Sequence, residues 1–236
     1  MNKLGLFGAA AVASALCFGA APAMASDGDV AGAALDLVAA NATPGNGAAF
    51  VTKAIKNAFA LNNAAMTYYW GATSPGSSAW YTAITTADNF VEITNIADVA
   101  AGQILAIDGS HTVVIIGDPI DITPPTEFYT PYITGTTQWA LPIADSTSSA
   151  HGFSPAYYDG GTDYSDSRWS SSTDPNDPNN VIWTFTGSKS GTAYMRLYAD
   201  EVTGEITAHA WSVTATSEAY VYDQTERPFA IGECTL

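Results

Sequence analysis

The spacing of the apolar residues changes once along the chain, near Phe90, and that change constrains the fold more than any other feature. Before it, apolar residues recur at helical spacing. "DVAGAALDLVAANA" sets Val30, Ala34, Leu37 and Val38 along one stripe, and "GNGAAFVTKAIKNAFAL" does the same with Phe50, Ile55, Ala58 and Phe59. The stretch "NATPGNG" between them reads as a turn. A third, short helix is expected through "AAMTYYW", capped by Asn63 and ending at Gly71. After Phe90 the chain reads as short runs of β-branched and aromatic residues: "FVEIT", "QILAI", "TVVIIG", "TQWALPIA", "NVIWTFTG", "TAYMRLYA", "ITAHAWSV" and "PFAIG". Residues 146–180, rich in Ser, Asp, Gly and Pro, are expected to form a long surface loop. Helices first and strands after predict one α+β domain, with N-terminal helices packed on a mainly antiparallel β-sheet.

The first 25 residues stand apart from this pattern. Lys3 precedes an apolar run through Phe18, and Ala23-Met24-Ala25 is a small-residue ending. That is the form of a secretory signal peptide cleaved before Ser26. The expectation is an exported protein, periplasmic or secreted, whose single domain spans residues 26–236. No other stretch approaches the ~20 apolar residues of a membrane helix, so no membrane span is expected. Cys17 falls in the leader, which leaves Cys234 as the one mature thiol; no internal disulfide can form, and the fold must rest on its core. Two residues from the end, Cys234 is not expected to be a nucleophile.

Against 7 Lys and Arg the chain carries 23 Asp and Glu, a formal charge of −16. Such a surface repels nucleic acid and anionic lipid, so neither is an expected partner. Asp159, Asp163, Asp166, Asp174 and Asp177 fall close together. Calcium takes about six to eight oxygen ligands, but their spacing fits no EF-hand, and "DPNDPNN" reads as consecutive turns. No metal and no cofactor is expected.

There are three histidines. His111 opens the run "HTVVIIG" after the turn "DGS". A helix start at "LNNAAMTYYWG", the histidine strand, and a third segment ending "ALPIADSTSSAHG" follow in that order. Such an order suits thiol chemistry. A helix N-terminus favours a thiolate, a strand histidine takes the proton, and a polar group on the next strand orients the imidazole. Asp145, on that third segment, reads as the cap of the turn "ADSTSS". His151, in a loop, and His209, in a strand, receive no role.

The segments "AGQILAIDGSHTVVIIGD" and "IADSTSSAHG", with the later "DSRW", "MRLYADEVTGEITAHAWSV" and "RPFAIGE", resemble the bacterial NlpC/P60 and CHAP-like hydrolases. The resemblance runs from roughly Ala60 to Gly232. It implies a papain-like fold, with His111 as the general base and Asp145 as the group that orients it. It also implies a cysteine at a helix start, followed three residues later by an aromatic pair. Here Ala64 or Ala65 stands at that place, with Tyr68 and Tyr69 as the pair and Trp70 beside them. Alanine has no nucleophilic atom. The resemblance therefore implies an inactive relative of cysteine amidases and endopeptidases that binds a cell-wall peptide or glycan. Tyr68, Tyr69 and Trp70 would be its binding rings, although core packing is another use for them. Two alternatives stay open: an active amidase or peptidase whose nucleophile lies elsewhere, and a secreted carbohydrate-binding or surface-interaction module.

Overall fold

The computed structural model describes residues 29–123, 133–153, 164–214 and 217–236. The segment read as a signal peptide, and Asp159 and Asp163 of the acidic stretch, lie outside the described residues. The architecture is α+β. Four helices precede the first strand: α1 (Val30–Ala39), α2 (Ala48–Ala58), α3 (Asn63–Trp70) and α4 (Ser77–Thr85). The cap of α3 is Asn62 rather than Asn63. Asn62 is still extended, so its Oδ1 can accept the Ala65 N–H at 2.9 Å, whereas Asn63 is already helical. Helix α4 has no counterpart in the sequence reading. Most of "SSAWYTAIT" is polar, and only Trp80, Ala83 and Ile84 are buried. Trp80 sits edge-on against Trp70, ring centroids 4.9 Å apart, and against Phe90 at 6.0 Å. Truncating a side chain buried in this way costs ~3–5 kcal/mol.

The strands are β1 (Phe90–Ile93), β2 (Ile104–Ile107), β3 (His111–Ile115), β4 (Ile120–Asp121), β5 (Thr136–Thr147), β6 (Trp169–Asp174), β7 (Asp177–Phe185), β8 (Lys189–Asp200), β9 (Ile206–Ala210), β10 (Val221–Asp223) and β11 (Phe229–Cys234). Nine of them make one antiparallel sheet in the order β1-β11-β2-β3-β5-β8-β9-β10, with β4 beside β5. Strand β2 is buried on both faces, as is β3 after His111, so both read as unbroken apolar runs. Ile104, Ala106 and Val114 join side chains of α1, α2 and α4 in one cluster. Leu105, Ile107 and Val113 alternate to the other face, where they meet Leu141 and Ile143 of β5 and Met195 and Leu197 of β8. The chain between α1 and α2 is pinned to β8, because Ser190 donates to the Ala42 carbonyl through both N and Oγ, at 2.9 and 2.7 Å.

Strands β6 and β7 form a separate two-stranded ribbon inside and just beyond the stretch expected to be a loop. The end of β7 is the run "NVIWTFTG" expected as a strand, while the serine-rich β6 is largely exposed and carries no apolar alternation in the sequence. The expected turns are there: Asp174 and Asp177 accept the N–H groups of Asn176 and Asn179 at 2.8 and 3.0 Å. No helix among the described residues is long and apolar enough to cross a membrane.

Candidate functional site

Strands β3 and β5 pair antiparallel, Val114 against Ala144, so His111 and Asp145 come from neighbouring strands. Asp145 is fully buried, and its Oδ2 lies 2.6 Å from His111 Nε2. The same oxygen lies 3.0 Å from Nε2 of His151, which follows β5. On the other side, Arg168 Nη1 forms an ion pair with Asp145 Oδ1 at 2.9 Å. Arg168 is itself clamped by Asp166, with Nε on Oδ1 and Nη2 on Oδ2, both at 2.7 Å. Asp166 also accepts the backbone N–H of His151 at 3.1 Å, which fixes the loop that carries the imidazole.

The protonation pattern follows from these contacts. Burial works to raise the Asp145 carboxyl. The His151 charge, hydrogen bonds from both imidazoles and the Arg168 guanidinium outweigh it and hold the group far below the usual carboxylate range. An ionised carboxylate only accepts, so both Nε2 atoms donate to it. His151 Nδ1 donates to the Trp211 carbonyl at 2.7 Å. With both nitrogens donating, His151 is an imidazolium. Its pKa is raised despite burial, by the charge and hydrogen bond of Asp145, the Trp211 carbonyl and the Asp166 charge. Two buried anions, Asp145 and Asp166, thus face two buried cations, His151 and Arg168. Pairing of this kind is what makes buried charge tolerable.

His111 has its second nitrogen to spare, and that nitrogen faces a helix start. A β-carbon built on Gly47 would lie 2.5 Å from His111 Nδ1, so any larger residue there must displace the imidazole. Gly47 is the N-cap of α2, with φ +45°, a conformation that glycine adopts without strain. Its N–H donates to the Ser146 carbonyl at 2.8 Å, which ties the start of α2 to β5 next to Asp145. The helix start beside the imidazole is therefore that of α2, not of α3, where the sequence reading sets the empty nucleophile position. Ala64 is exposed and Ala65 half-buried, and neither lines a cleft at His111. Tyr68 is 83% exposed, and Tyr69 and Trp70 pack toward the helical core. None of these rings lines a cleft at His111 either.

A cleft of about 660 Å³ opens at His111 and His151 and is lined by Asn46, Ser110, Trp211 and Tyr220 among others. A shallower one of about 370 Å³, lined by Gly47, Ala48 and Ser77, shares Asn46, Ser110 and His111 with it. The two clefts adjoin at His111. The Trp211 ring stands edge-on to His111, centroids 5.6 Å apart. Gly47, Arg168 and Trp211 were not singled out in the sequence, His151 was given no role, and Asp166 was read only as one of the clustered carboxylates. The "AHG" and "DSRW" segments held the available signal, while nothing local marks Gly47.

Cys234, the one cysteine among the described residues, is far from this cluster. Phe229 is in register with Ile107, and Ile107 with His111. Cys234 is five residues further along β11, which is ~17 Å of strand. Burial pushes its thiol up to about 12. His209 is buried on β9 with no hydrogen-bond partner on either nitrogen.

No family model matches this chain, and neither a curated protein nor a solved structure does.

Proposed function

We propose that this chain is an exported relative of the NlpC/P60 and CHAP-like cysteine hydrolases in which a glycine stands where the nucleophile would be. It binds a cell-wall peptide or glycan without cutting it. The observation that carries this reading is the orientation of His111. Nε2 is tied to Asp145 at 2.6 Å, and Nδ1 faces the N-cap of α2 across space that Gly47 leaves. A thiol hydrolase needs this division of labour: one ring nitrogen fixed by an acceptor, the other aimed at a nucleophile on a helix start. The start of α2 has no side-chain cap, and its dipole would favour a thiolate. Gly47 has no attacking atom, and losing the nucleophile from such a unit forfeits most of the rate. Cys234 is too distant to replace it.

Binding is what the remaining features suit. Two clefts adjoin at His111 and together offer room for an extended ligand. Their Ser, Thr and Asn side chains can pair with amides and hydroxyls, and Trp211 and Tyr220 offer faces for apolar or sugar surfaces. The test is co-sedimentation of the purified protein with insoluble peptidoglycan. Retention is expected, with loss of retention in Trp211→Ala at unchanged Tm and no release of soluble fragments. Competition by stem peptides would assign the peptide as ligand, and competition by glycan oligomers the sugar. No retention, or fragment release abolished by His111→Ala, would overturn the reading.

A further inference from the structure

We propose that His111, Asp145 and His151 form a binding site for one divalent transition-metal ion of the zinc class. The inference does not rest on the degenerate-hydrolase reading; it needs only these three side chains. One ring nitrogen of His111, one of His151 and a carboxylate oxygen of Asp145 all lie within 4.8 Å of one another, and both Nε2 atoms contact Asp145 Oδ2. Ligand atoms around a four-coordinate zinc, at bond lengths of ~2.0–2.1 Å, are ~3.3 Å apart. The present contacts of 2.6 and 3.0 Å to Asp145 Oδ2 therefore need to open by less than ~1 Å to admit an ion.

The chemistry of the donor set favours an ion of this class. Two imidazoles and one carboxylate suit zinc and its neighbours, whereas calcium and magnesium take oxygen. The surroundings already hold the ligands in place. His151 Nδ1 donates to the Trp211 carbonyl at 2.7 Å, the backbone partner that turns a ligating imidazole so that Nε2 faces the ion. Arg168 lies on Asp145 Oδ1 and leaves Oδ2 to the two imidazoles. In the metal-free protein that one oxygen is shared by the two Nε2 atoms. An ion at the same point satisfies both lone pairs and the carboxylate together. Asp145 and His151 are buried, while His111 and His151 line the cleft of about 660 Å³, so a fourth coordination position opens toward the groove.

The experiment is a Co²⁺ titration of the metal-free, untagged protein, followed by the visible d–d absorption of four-coordinate cobalt and by calorimetry, with Zn²⁺ as competitor. One ion per chain is expected, with intense visible absorption that Zn²⁺ abolishes. His111→Gln should weaken binding by at least roughly 100-fold. His111 is 12% exposed at the cleft wall, so this variant keeps the buried Asp145–Arg168–Asp166 pairing, and circular dichroism checks its fold. His151→Gln should weaken binding similarly, and His209→Phe should leave it unchanged. No visible absorption at millimolar Co²⁺, or equal affinity in wild type and His111→Gln, would overturn the site. Neither result bears on retention by peptidoglycan, so the two readings fail separately.

Discussion

Gly191 stands directly across from Asp145 in the β5–β8 ladder, and the side chain it lacks is the space that Arg168 fills. A β-carbon there would lie 2.8 Å from Arg168 Cγ and 2.9 Å from Cδ and Nε. The guanidinium reaches the carboxylate because that one strand position is bare. Gly191→Ala should therefore destabilise the protein by ~1–3 kcal/mol through overpacking, read as a lower midpoint in urea. An unchanged midpoint would mean that Arg168 can lie elsewhere at no cost.

Arg168 is the cation that Asp145 and Asp166 share. Arg168→Met would leave two buried carboxylates without it and should cost ~3–5 kcal/mol in chemical denaturation. Arg168→Lys should recover little, because the two 2.7 Å bonds to Asp166 need a planar fork. Adding Asp166→Asn to Arg168→Met should restore part of the loss. A lysine variant as stable as wild type would contradict the pairing.

His209 gives the fold a sensitivity to acid. Burial first, then the Arg227 charge, lowers its pKa from 6.5 to about 3. The unfolded chain takes up a proton near pH 6.5 and the folded chain does not until near pH 3. Between those values the unfolded state holds more protons, so stability falls as pH falls, by about 1.4 kcal/mol for each unit. His209→Phe removes the proton acceptor and two unpaired buried nitrogens. Its urea midpoint should match or exceed that of wild type at pH 7 and should fall less between pH 6.5 and 4. Equal pH slopes in the two proteins would show that His209 is protonated in the fold.

The helices α1 and α2 were legible because Phe50, Ile55 and their neighbours recur at helical spacing, and β2 and β3 because both faces of these strands are buried. Helix α4 was not, since Trp80 is a single large anchor among polar residues. In the β6–β7 ribbon only "NVIWTFTG" of β7 was read as a strand; β6 was hidden because its serines face water. The meeting of His111 and Asp145 was expected from chain order together with the family resemblance. Gly47 was not, because a glycine records only the absence of a side chain. The reason for that absence lies 64 residues later, in the His111 ring that fills the space. His151 and Arg168 were passed over because each acts through Asp145, by contacts that only the folded chain brings together.

If the start of α2 beside His111 is a vacated thiolate position, as proposed, a cysteine restored there should be activated. With Cys17 and Cys234 replaced by serine and a chelator present, iodoacetamide alkylation rates would be measured across pH 5 to 9 for Gly47→Cys, Ala48→Cys and Ala65→Cys. Gly47→Cys must shift the nearby His111 ring and will lose stability; Ala48→Cys, in the first turn of α2, avoids that crowding. A free thiol has a pKa of about 8.5, and His-paired thiols at helix starts fall to between about 3.5 and 7.5. At least one of the α2 thiols should react readily at pH 6, and His111→Ala should slow that reaction. Ala65→Cys, on α3 and away from the imidazole, should show no response to His111→Ala. Profiles for both α2 thiols that match Ala65→Cys, and that His111→Ala leaves unchanged, would contradict the account.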